Sequence, residues 1–137
     1  MSKLLHFIED VFLGLTVGAL LLFASGVKAG DWSTETKVEE ALYQTLHIVD
    51  ASQTVYIAKH SDQFYEAESA WAIGKHPSES RVIGYMALDA VGHAAITATL
   101  VGLNAPRWLT RTWGLLTIVD SGRCVGNNLR IGIKAQF

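Results

Sequence analysis

Val82-Ile-Gly-Tyr-Met-Ala-Leu-Asp-Ala-Val-Gly-His-Ala-Ala-Ile-Thr-Ala-Thr-Leu-Val-Gly-Leu103 runs for 22 residues without a Lys, Arg or Glu. At about 1.5 Å per helical residue it is long enough to cross a hydrocarbon layer of ~30 Å. Only Asp89 and His93 interrupt it. A carboxylate at the centre of a bilayer helix costs about 2.5–3.5 kcal/mol, so Asp89 requires a partner, a proton or water.

The flanks of this stretch read as its ends. His76-Pro77 breaks any preceding helix, and Ser78 stands where an N-cap belongs. Asn104-Ala-Pro-Arg107 is a tight turn, after which Trp108 and Trp113 with Arg107 and Arg111 have the composition of an interfacial anchor. They lead into Gly114–Val119, a marginal span. Beyond Gly126, Leu129, Ile131, Ile133, Ala135 and Phe137 alternate with polar residues or glycine, which is strand periodicity and predicts a short strand-like tail. A single such strand does not make an outer-membrane barrel.

Upstream, Ser33-Thr34-Glu35-Thr36 reads as a helix start, and a helix from about Thr36 to His60 follows. Tyr43, His47, Asp50 and Thr54 recur on it at spacings of four, three and four, a polar stripe that must face protein or water if the helix spans. Ser61 to Pro77 mixes Phe64, Tyr65 and Trp71 with Glu66, Glu68 and Lys75, as an amphipathic segment at a headgroup boundary or a loop packed on the bundle would. Val11–Val27 is an uncharged run of 17 residues, near the lower limit for spanning. It reads two ways: Glu9 and Asp10 before it suit a retained anchor, while Val27-Lys28-Ala29 suits signal cleavage. Gly14 and Gly18 form a G-x-x-x-G of the kind that lets a second helix approach.

Composition agrees with lipid. Among 137 residues half are hydrophobic and 18% charged, with mean hydropathy +0.25. With 11 Lys+Arg against 13 Asp+Glu there is no basic field for a phosphate backbone, so nucleic acid is not an expected partner. A lone Cys124 excludes an intrachain disulfide and a Cys-based zinc site. The expected fold is all-α, a membrane bundle of three to four helices, with residues 1–29 as anchor or signal and 30–137 as the helical membrane domain. If all four segments cross, Lys3, Lys59, Lys75, Arg81, Arg123, Arg130 and Lys134 share one side against Lys28, Lys37, Arg107 and Arg111, which places both termini in the cytoplasm.

Two pairs can carry chemistry: Asp89 and His93 at i, i+4, and His47 and Asp50 at i, i+3. Brought together they would make a site for a divalent metal, or a proton relay. Alternatively His93 bonds to Asp89 or across a helix interface and orients the bundle. Glu66 and Glu68 read as a solvated face rather than an acid–base pair, Gly126-Asn127-Asn128 as a helix end, Asp120 and Arg123 as a local ion pair, and Cys124 as an inert thiol.

From Trp32 through Asp50-x-x-Gln53-Thr54 to Tyr65 and His76-Pro77-Ser78, the chain resembles a group of short exported or membrane proteins of proteobacteria and their phages. In that group a Glu precedes an Asn-Pro pair, a Gly and a Pro-Ser; Glu68, Gly74, Pro77 and Ser78 fit, but Ala70-Trp71 replaces Asn-Pro. The resemblance implies a bacterial or phage envelope protein and carries no activity with it. The expected function is therefore that of a non-enzymatic accessory or structural membrane protein, in contact with lipid and with itself or a membrane partner. The competing expectation is an intramembrane metal- or proton-dependent enzyme or carrier using His47, Asp50, Asp89 and His93. A periplasmic or outer-membrane location after cleavage near Ala29 is a third.

Overall fold

The computed structural model describes residues 32–135, so the segment Val11–Val27, its G-x-x-x-G and the Ala29 site lie outside the described residues. Four helices follow one another: α1 (Thr34–Lys59), the single turn α2 (Ala70–Ile73), α3 (Glu79–Gly102) and α4 (Arg107–Arg130). No strand occurs among the described residues.

Each boundary has a local cause. Ser33 caps α1 by accepting a hydrogen bond from the Thr36 N–H at 3.1 Å, and Ser78 caps α3 by accepting from Arg81 N–H at 3.4 Å. The α3–α4 turn places Asn104 at φ 50°, a left-handed conformation that Asn tolerates better than most residues. Pro106 then starts α4, where a missing N–H costs nothing.

One expectation is corrected here. The strand-like tail is instead the end of α4, which continues through Gly126, Asn127 and Asn128 to Arg130. There the Gly132 N–H bonds to the Leu129 carbonyl and the Ile133 N–H to that of Asn128, with Gly132 at φ +90°. This is a Schellman close, and it turns Ile133 inward to 2% exposure. The alternation of Leu129, Ile131 and Ile133 thus straddles a helix end. Ser61–Pro77 is a loop around one helical turn that packs on the bundle through Ile73, while Trp71 stays 83% exposed.

Contacts fix the topology. Tyr43 meets Asp89, and Lys59 meets Glu79, so α1 and α3 are antiparallel. Glu35 meets Arg107, and Asp50 meets Asn128, so α1 and α4 are parallel. Helix α1 is central: it packs against both α3 and α4, which touch each other less. The apolar core is small: Ile73, Val82 and Met86, flanked by Ala51, Val55 and Ala58, fill the Lys59 end of the α1–α3 interface. Among the described residues, Glu79–Gly102 alone is long and apolar enough to cross a membrane by length and composition. Helices α1 and α4 fall short because polar residues recur along the faces they bury.

Candidate functional site

Those polar residues keep heptad spacing. On α1, Thr36, Glu40, Tyr43, His47, Asp50, Thr54 and Ile57 alternate steps of four and three. On α4, Thr110, Gly114, Thr117, Ser121, Cys124 and Asn128 do the same. Such spacing keeps one stripe facing its neighbours along the whole helix, as in a coiled coil, but here the seam is polar and small rather than aliphatic.

Where the three helices meet, four rings stack in a column. Tyr43 lies between His47 and His93, with ring centroids 5.4 and 3.5 Å away, and Trp113 stacks on the other face of His93 at 4.9 Å. Glu40 collects the donors around the column. It accepts from Gln44 Nε2 at 2.8 Å, from Thr97 Oγ1 at 3.0 Å and from His93 Nδ1, whose closest approach is 3.0 Å. Thr97 in turn accepts from the Trp113 indole N–H, and His93 Nε2 lies 2.9 Å from Thr117 Oγ1. A carboxylate out of water is stable only with such a complete set of partners.

The residues expected to form one site divide among three. His93 pairs across the interface with Glu40 and Thr117, not with Asp89 one turn away. Asp89 accepts from the Tyr43 hydroxyl at 2.9 Å, and its Oδ2 stands 3.7 Å from His47 Nδ1. Asp50 accepts from Asn128 Nδ2, which also donates to Gln53 Oε1. Among the described residues no three His, Cys, Asp or Glu side chains are grouped to hold a metal. Glu40, Thr97, Thr117 and Trp113 are central yet were not singled out as site residues, and Trp113 points inward rather than to an interface. Extending the stripe of α1 by three residues before Tyr43 would have found Glu40.

Asp120 and Arg123 do pair, at 3.1 Å, and Arg123 also bonds Glu68 at 2.9 Å. Glu66 is not a solvated carboxylate: it is 4% exposed and accepts from the Ser69 N–H, shaping the loop before α2. Gly74 sits at φ +86° and ends α2. At the far end of the bundle the hydrogen bond from Arg107 and its charge hold the Glu35 carboxyl below the ordinary carboxylate range.

Between α3 and α4, with α1 as its floor, opens a cleft of about 680 Å³. Asp50 and Asp89 lie in it with His47 and Tyr85; Leu88, Ile96 and Leu116 form apolar lips. No protein family, curated protein or solved structure matches this chain. The geometry alone therefore carries the functional argument. Its chemistry is that of a satisfied polar interior holding three helices in register, beside an open cleft whose acceptors are not all used.

Proposed function

We propose that this chain is a small non-enzymatic membrane protein, an accessory or structural component of a bacterial or phage-modified envelope that works by packing its helices against itself or a partner. One observation supports the reading above others: the long helices bury many polar side chains and expose many large apolar ones. Glu40, His47, Gln53, His93 and Thr97 face inward, while Ile48, Leu88, Leu103, Trp108, Leu116 and Val119 face outward, the last at 67% exposure. In water each outward side chain of this size forgoes about 1.5–3 kcal/mol of burial. In lipid that cost disappears, and inward polar groups with complete hydrogen bonding become the requirement.

Charge placement agrees. From Ala41 to Ala58 only Asp50 is charged in α1, and from Val82 to Leu103 only Asp89 in α3. Glu35, Lys37, Arg107 and Arg111 gather at one end of the bundle, and Lys59, Glu79 and Arg81 at the other. Asp120, Arg123 and Glu68 break the pattern but are paired with one another. An inner-membrane location with both termini cytoplasmic follows from the Lys/Arg distribution if Val11–Val27 and all three long helices cross.

The test is fractionation of cells making the full chain. It should sediment with membranes, resist alkaline carbonate and dissolve only in detergent, with crosslinking trapping it to itself or to a neighbour. A chain stripped of residues 1–29 that is monomeric and soluble without detergent would overturn the proposal.

A further inference from the structure

We propose that the cleft between α3 and α4 binds a small organic ammonium ion with an apolar body, held by the imidazole of His47 and the carboxylate of Asp89. This goes beyond a packing role and does not depend on it.

His47 carries the argument. It is only 6% exposed, yet it lines the cleft. Its Nε2 lies 2.9 Å from the Met86 carbonyl, which can only accept, so Nε2 carries a proton; when the ring is neutral, Nδ1 is then the nitrogen with a free lone pair. Among the described residues Nδ1 has no hydrogen-bond partner, and 3.7 Å away stands Asp89 Oδ2. Asp89 Oδ1 accepts none from the described residues either, and this side chain is 48% exposed, into the cleft. With the ring neutral, two acceptors lie side by side at the wall of the cavity. An N–H-bearing cation satisfies both, since one nitrogen can donate to each at about 2.9 Å.

The surroundings select the rest of the ligand. Asp50 and Asp89 line the cleft together with Glu68 and Asp120, which Arg123 pairs, and among the described residues no Lys or Arg lines it, so a positive charge is favoured beside Asp89. The apolar lips Leu88, Ile96 and Leu116 suit a hydrocarbon body. The volume falls within the roughly 300–1,000 Å³ usual for small-molecule sites. A metal ion fits less well, because His47 and Asp89 supply one donor group each and no third ligand joins them among the described residues.

Calorimetric titration of the detergent-solubilised full chain with hexylammonium, under mildly alkaline conditions, tests the assignment. One saturable site is expected. Hexyltrimethylammonium keeps the charge and the chain but has no N–H, and should bind at least ~10-fold more weakly. Asp89→Asn should weaken hexylammonium binding by a similar factor, with circular dichroism establishing that the variant is folded. Absence of saturable binding would mean that water alone meets the two acceptors and would overturn the site. Equal binding of the quaternary ion would do the same, by assigning the heat to the apolar lips, and that comparison needs no variant.

Discussion

At Gly114 a Cβ would stand 2.8 Å from Glu39 Oε2 and 3.2 Å from Glu39 Cβ, so α1 and α4 approach there with no room for a methyl group. Gly114→Ala gains up to about 1 kcal/mol of helix propensity but loses about 1–3 kcal/mol by overpacking. Its melting temperature in detergent should fall. Gly84 has no atom within 4 Å of its virtual Cβ, so the same substitution there should raise it. Glu40 offers a second test, because three donors converge on it. Glu40→Leu strands His93 Nδ1 and takes one acceptor each from Gln44 and Thr97, which keep the Ala90 and His93 carbonyls, and should cost about 3 kcal/mol or more. Glu40→Gln keeps one acceptor oxygen and should cost less, as chemical denaturation of the two variants would show. The sequence made His47, Asp50, Asp89 and His93 visible because charge inside apolar stretches is conspicuous. It could not say that Tyr43 would come between the two histidines. That depends on the rotation of α1 against α3, which no spacing within one helix encodes.

Among the elements, α3 was the most legible. An apolar run bounded by Pro77-Ser78 and by Asn104-Ala-Pro106 leaves little freedom about where a helix begins and ends. Helix α1 was nearly as clear, since its cap and its polar stripe were both in view. Helix α4 was the least clear. Its buried residues are Thr110, Gly114 and Val125, too small and polar to announce a core-facing stripe, and the alternation after Gly126 mimicked a strand. The deciding interactions at that end are between N–H and C=O groups of the main chain, invisible to side-chain periodicity. Gly132→Ala forces a Cβ into φ +90° and should cost about 1 kcal/mol, with faster amide exchange confined to the last turn of α4 as the readout.

For the whole molecule, the useful distinction is between which residues face inward and what they face outward to. The first is shown by the helices as they pack; the second rests on the exposed large apolar side chains and on α3. Three substitutions to serine, at Leu88, Leu116 and Val119, separate a lipid-facing surface from a water-facing one. All three side chains are well exposed, so in water the changes should leave stability within about 0.5 kcal/mol of the parent. In a bilayer they should lower the membrane-integrated fraction, read by carbonate extraction.

The parallel arrangement of α1 and α4 has a consequence in time. Tyr43 finds Asp89 across 46 positions of sequence, Glu35 finds Arg107 across 72 and Asp50 finds Asn128 across 78. During synthesis at about 5–20 residues per second, the polar seam of α1 waits roughly 4–16 s for its last partners. For that interval its hydrogen bonds must be met by water, by the insertion machinery or by another chain. Docking of the final helix, rather than formation of the first, is then the step that commits the bundle to its fold.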